Sequence, residues 1–151
     1  MSGRFVLDTN VVWYGFKNAS YKERLEAVYR PLHLSSVALT ELSSHADAIG
    51  RAQIDQARET AVRAKRVFAP TVRDWHMAGA FLFDQRPRTI GRVPAEERLR
   101  IARMQNDALI ALSTWNRGWT IVTCDGHDFT RLERYFPEFK GRLIIEPAPA
   151  G

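Results

Sequence analysis

The chain has 151 residues, a hydrophobic content of 45% and a net charge of +5. That length suits one domain with its own core, and no apolar run approaches the ~20 residues of a membrane span. A single cysteine excludes both a disulfide framework and a cysteine zinc site. The amino-terminal apolar run is too short for a secretory signal and soon meets Asp8. These features predict a cytoplasmic protein with no membrane partner, and the basic balance favours a polyanionic one.

In chain order, Phe5-Val6-Leu7 reads as a strand, and Asp8-Thr9-Asn10 as a polar turn after it. Ser20 to Tyr29 reads as a helix with Leu25, Val28 and Tyr29 on one face. His33-Leu34-Ser35 is a second strand. Ser35 or Ser36 caps a helix running toward Gly50. Another helix runs from Arg51 to Val67. After the break at Pro70, Thr71 to Phe83 forms a helix with Val72, Trp75 or His76, Gly79 and Phe83 toward a core. Gln85 to Pro94 is irregular. Glu96 to Asn116 is helical, either continuous or broken near Asn106, and Gly118 ends it. Thr120 to Thr123 is the clearest strand, Phe129 to Tyr135 a short helix ended by Pro137, and Leu143 to Ile145 the last strand. Residues 1–146 then form a single domain, and 147–151 a short tail.

Strands alternating with helices imply an α/β fold with a mainly parallel sheet covered on both faces. Sites in such sheets form beyond the carboxyl ends of the strands. Asp8 and Asp125 both follow strands; Glu41 and Asp107 lie in apolar helical segments. A carboxylate beside buried residues is costly without a partner. Four of them suggest a shared partner, and Mg²⁺ or Mn²⁺ suits all-oxygen ligands. Such ions activate water and offset phosphate charge in phosphodiester hydrolysis. Thr9, Asn10 and Thr123 are placed to orient the carboxylates from a second layer.

Taken one at a time, these acids have plainer readings. Asp8 could cap a helix or sit in a turn, Glu41 could be an exposed helix residue, Asp107 could cap a helix starting near Ala108, and Asp125 could be a turn residue before Gly126. His45 is either a surface histidine or faces Glu41's site. Cys124 reads as packing, and the four tryptophans (Trp13, Trp75, Trp115 and Trp119) as core or interface. Arg86, Arg88, Arg92, Arg98, Arg100 and Arg103 form the densest basic segment. It is either a solvated face paired with Glu96 and Glu97 or a phosphate contact, with Arg86, Arg88 and Arg92 the candidates for binding a nucleic-acid backbone.

Four segments together resemble the PIN-domain nucleases, and more closely the VapC-type toxins of toxin–antitoxin pairs. They are Phe5 to Val12, Ser36 to Leu42, Asn106 to Ala111 and Ile121 to Phe129. The resemblance implies an α/β/α sandwich and Mg²⁺- or Mn²⁺-dependent endoribonuclease activity. It also implies a homodimer and a VapB-like antitoxin partner. Asp8, Glu41, Asp107 and Asp125 match the family's acidic quartet; Asp8, Asp107 and Asp125 would bind metal, with Glu41 beside them and Asp128 sharing the metal or capping the short helix. A structure-selective DNA nuclease and a non-catalytic PIN-like binding protein are the alternatives. A haloacid-dehalogenase-like phosphatase fits poorly, because Asn10 stands where that chemistry needs a second aspartate.

Overall fold

The computed structural model describes residues 3–86 and 91–150. Five strands form one all-parallel sheet, β1 (Phe5–Leu7), β2 (Leu32–Ser35), β3 (Val67–Phe68), β4 (Thr120–Thr123) and β5 (Leu143–Ile145), in the order β3-β2-β1-β4-β5. The described helices are α1 (Thr9–Lys17), α2 (Ala19–Val28), α3 (Ser36–His45), α4 (Ala48–Arg63), α5 (Val72–Asp84), α6 (Ala95–Trp115) and α7 (His127–Tyr135). They cover both faces of the sheet, giving the α/β/α sandwich. One core packs Phe81, Leu109, Leu112, Trp115, Phe129 and Leu132; the other packs Val11, Tyr21, Leu25, Leu39, Ile54 and Val122. None of the described helices is long and apolar enough to cross a membrane.

The strand order reverses at β1. From β1 the chain runs outward through β2 to β3, then crosses back to β4 on the other side of β1 and on to β5. The crevice above β1 and β4 is therefore the natural site of such a sheet. Register fixes what faces it: Leu7 pairs with Val122, so Asp8 and Thr123 emerge side by side.

Several elements differ from the sequence reading. Asp8-Thr9-Asn10 is not a free turn: Thr9 already begins α1, with Asp8 as its N-cap. The β-branched pair Val11-Val12 hides this helix in the sequence, because such residues favour strands. Val28 is exposed, while Tyr21 joins Leu25 and Tyr29 in the core. The helix starting at Ser36 stops at His45, and Asp47 caps a new one whose first turn includes Gly50. That second helix ends at Arg63, leaving Val67-Phe68 to form an edge strand. No break occurs near Asn106; α6 is continuous from Ala95 to Trp115.

The α5 face is also rotated. Val72, Trp75, Gly79 and Phe83 are exposed, and Asp74, Ala78 and Phe81 are buried. Apolar residues surround this helix, so periodicity leaves its phase open. Asp74 settles it. Its carboxylate accepts from Thr71 N at 2.8 Å and Asn116 Nδ2 at 2.6 Å, while Thr71 Oγ1 accepts from Asp74 N at 3.2 Å. This reciprocal cap turns Asp74 inward, where the hydrogen bonds satisfy an otherwise costly buried acid.

Candidate active site

The carboxyl ends of β1 and β4 open into a cleft of about 360 Å³ lined by Asp8, Glu41, Asp107, Asp125 and Asp128, with Thr9, Asn10, Trp13, His45 and Phe129 among its other walls. All four acids expected from the sequence reach it, and Asp128 does as well. Parallel strands deliver Asp8 and Asp125; α3 and α6, packed together, deliver Glu41 and Asp107; the first turn of α7 delivers Asp128.

Asp8 is buried, and its backbone N donates to Val122 O at 2.9 Å, extending the ladder past the strand end. One carboxylate oxygen accepts from Thr9 N at 2.7 Å and the other from Thr123 Oγ1 at 2.9 Å. Capping and site duty are thus compatible, since each oxygen keeps a lone pair directed elsewhere. Burial raises the pKa of Asp8 from 3.8 to about 6 against the lowering effect of these two hydrogen bonds, and the charges of Glu41 and Asp125 add to the rise.

Thr123 is fully buried, and its hydroxyl accepts from Asp125 N at 3.1 Å while donating to Asp8. It therefore couples the two strand-end acids. Asn10 Oδ1 accepts from Cys124 N at 3.4 Å, tying α1 to the loop after β4. Thr9 Oγ1 is buried with no hydrogen-bond partner in the protein, on a residue that lines the cleft.

Glu41 accepts from Asn106 Nδ2 at 2.8 Å. The neighbouring Asp107 lies in mid-helix, so it caps nothing. Burial, followed by the charges of Asp8, Asp128 and Glu41, drives its carboxyl far above the usual range. Asp125 forms a turn, accepting from His127 N at 3.2 Å. Asp128 faces Asp107 closely enough to raise its pKa, whereas Asp125 acts on Asp8. His45 is exposed and lines the cleft with Glu41. Trp13 and Phe129 form apolar walls that sequence reasoning did not assign to the site; no local pattern distinguishes them from core residues.

Among the described residues, no Lys or Arg forms an ion pair with any of these five carboxylates. Nor are three His, Cys, Asp or Glu side chains drawn tightly enough together, as they stand, to hold one ion. The donor set nonetheless fits a hard divalent cation: carboxylate oxygens, a hydroxyl with no partner, and open solvent access for retained waters. Such an ion would offset the repulsion and desolvation that raise the pKa values of Asp8 and Asp107.

Arg86 and Arg92 do not line this cleft. Arg86 lies 4.2 Å over the Phe83 ring, and Arg92 is exposed; Arg88 lies outside the described residues. Arg100 pairs with Glu97 at 2.9 Å, as the solvated-face reading expects.

Comparison with known proteins places this geometry in context. The PIN domain family model matches residues 5–135. DNA-bound VapBC from Salmonella typhimurium is similar in structure, with a TM-score of 0.58 at 21% identity over 97% of this chain and 98% of that chain. VapBC2 from Rickettsia felis, bound to a promoter DNA fragment, has a TM-score of 0.54 at 21% identity over 95% and 97% of the two chains. FitAcB from Neisseria gonorrhoeae has a TM-score of 0.55 at 14% identity over 93% and 96%. At these identities the structural likeness is one of fold. Comparison with curated proteins gives no match. The family match spans most of the chain and contains every acid of the cleft: this protein belongs to the PIN-domain family.

Proposed function

We propose that this protein is a Mg²⁺- or Mn²⁺-dependent endoribonuclease, the toxin of a VapBC-type toxin–antitoxin pair. The observation that carries the reading is the convergence of five carboxylates on one open cleft without a paired Lys or Arg among the described residues. PIN domains are generally metal-dependent nucleases, and the structural neighbours named VapBC support the toxin assignment.

Asp8, Asp107 and Asp125 are the proposed metal ligands, with Glu41 and Asp128 alongside. When bound, the cation supplies an activated water and neutralises charge on the scissile phosphate. Thr123 holds Asp8 and the Asp125 loop in register, and Asn10 anchors that loop to α1. Asn106 holds Glu41 within the cleft, where its carboxylate orients the attacking water. Trp13 and Phe129 limit water entry from the sides. The protein works in the cytoplasm as a homodimer with a VapB-like antitoxin partner.

Matched single-stranded RNA and DNA, each incubated with Mg²⁺, Mn²⁺ or chelator, test the reading. RNA cleavage that stops with chelator and returns with either ion is the expected result. Metal-dependent cleavage of DNA alone would make this a DNA nuclease. Cleavage of neither, with intact binding of one, would make it a binding protein.

A further inference from the structure

Every strand of the sheet is entered through an arginine. Arg4 immediately precedes β1, Arg66 precedes β3 and Arg142 precedes β5; Arg30 and Arg117 lie two and three residues before β2 and β4. Because all five strands are parallel, these residues gather at one end of the sheet, opposite the acidic cleft. Strand order sets them in a row: Arg66, Arg30, Arg4, Arg117, Arg142. At about 4.8 Å between strands the row is about 19 Å long.

The backbone ladder holds three of them in place. Arg4 O accepts from Thr120 N at 3.0 Å, Arg66 O from Leu34 N at 2.8 Å, and Arg142 O from Ile121 N at 3.0 Å. Side-chain surroundings join the row end to end. Arg66 and Arg30 line one shallow cleft. The charges of Arg66 and Arg4 both lower the pKa of His33, after burial as the larger cause. Arg4 and Arg117 lie 5.6 and 5.7 Å from the Trp119 ring centre. Arg142 donates to Gly118 O beside them. Arg4, Arg30 and Arg66 are exposed. Of these five arginines, only Arg117 pairs with an acid among the described residues, Asp74 at 3.8 Å.

Like charges held in a row repel one another. Asp74 and two backbone carbonyls offset Arg117, and single carbonyls accept from Arg30 and Arg142, but Arg4, Arg30, Arg66 and Arg142 have no carboxylate partner among the described residues. Guanidinium groups suit phosphates, which accept two parallel hydrogen bonds from each. The half-buried Trp119 adds an aromatic surface in their midst. We propose that this arginine row is a second RNA-binding surface, engaging the phosphate backbone of the substrate at the end of the molecule opposite the cleavage site. This rests on the ribonuclease reading above and adds a preference for substrates. Arg4 and Asp8 flank β1, four residues apart and about 13 Å along the sheet. RNA long or folded enough to wrap from one end to the other is held twice, whereas a tetranucleotide is held only at the cleft.

The test replaces Arg4, Arg30 and Arg66 together, once by Gln and once by Lys, in the full chain. Binding of a 40-nucleotide RNA is followed by fluorescence anisotropy against salt, in an Asp107→Asn background that suppresses cleavage. Three lost single-strand phosphate contacts should flatten the slope of log K against log salt by about 2, so that affinity falls about 100-fold at 0.1 M salt relative to 1 M. The Lys variant, which keeps the charge, should retain most of the slope. With active protein, the Gln variant should raise KM for the long RNA and leave tetranucleotide cleavage unchanged. If the triple Gln variant melts early, Arg66→Gln alone should lower the slope by about 0.7.

Wild-type slope and affinity in the Gln variant would overturn the proposal, as would equal loss on long and short RNA. It would also be overturned if the variant lost binding only to duplex DNA or anionic vesicles. The anisotropy arm needs no turnover, so failure of the ribonuclease reading would appear separately, as absent cleavage by wild type.

Discussion

Asp8→Asn should stabilise the metal-free protein. Asp8 is 5% exposed and its carboxyl pKa stands at about 6 against 3.8. Keeping it ionised in the folded state at neutral pH therefore costs about 3 kcal/mol. The sign follows from proton binding. The folded state holds the proton more tightly, so the contribution of this one group is greatest below pH 3.8 and is lost as pH rises through about 6. Asn removes that loss while keeping the structure. Its Oδ1 can still cap α1 through Thr9 N. Its Nδ2 can donate to Thr123 Oγ1, whose proton can turn to Asp125 O at 3.1 Å. For a chain of this size the gain is worth about 6–12 °C in melting temperature at pH 8 in chelator. Thermal melts of the two proteins across pH measure it. The difference should close as pH falls toward 4, and Mg²⁺ should narrow it at pH 8 by raising wild type alone. An Asp8→Asn protein that melts at or below wild type at pH 8 in chelator would refute the reasoning.

Other outcomes follow from the same structure. Asp74→Ala should cost about 2–4 kcal/mol in chemical denaturation, because it removes the α5 cap and strands Asn116 and Thr71 N. Asp125→Asn should lose most ribonuclease activity while remaining folded by circular dichroism, and Asp128→Asn should lose less; the reverse order would exchange their roles. Replacing Arg86, Arg88 and Arg92 by Ala should weaken RNA binding and flatten its salt dependence. Unchanged RNA affinity with altered dimerisation or antitoxin binding would assign that segment to protein contacts.

What could be read from the sequence divides by the kind of signal. The acids were visible because a carboxylate at the end of an apolar run breaks a pattern, as Asp8 does after Phe5-Val6-Leu7 and Asp125 after Ile121-Val122-Thr123-Cys124. The parallel sheet followed from strands alternating with helices. Features set by long-range contacts stayed hidden. The rotation of α5 depends on Asn116, 42 positions from Asp74, and misled the reading of Val72, Trp75 and Phe83. The two-residue β3 exists because β2 offers it an edge; its own sequence continues a helical pattern. Helix α1 is hidden because Asp8 before Thr9-Asn10 fits a turn as well as a cap, and its capping bond to Thr9 N, which starts the helix, decides between them. Asn106 was visible in the motif with Asp107, but its hold on Glu41 spans 65 positions and required the packing of α3 on α6.

The central claim is that the carboxylates of this cleft bind a divalent cation. A crystal structure with Mn²⁺, recorded at a wavelength where manganese scatters anomalously, tests it most directly. The account predicts an anomalous peak in the cleft coordinated by Asp8, Asp107 and Asp125, and no such peak in Asp107→Asn crystals grown with the same ion. A cleft without manganese at millimolar Mn²⁺, or a peak undiminished by Asp107→Asn, would contradict it.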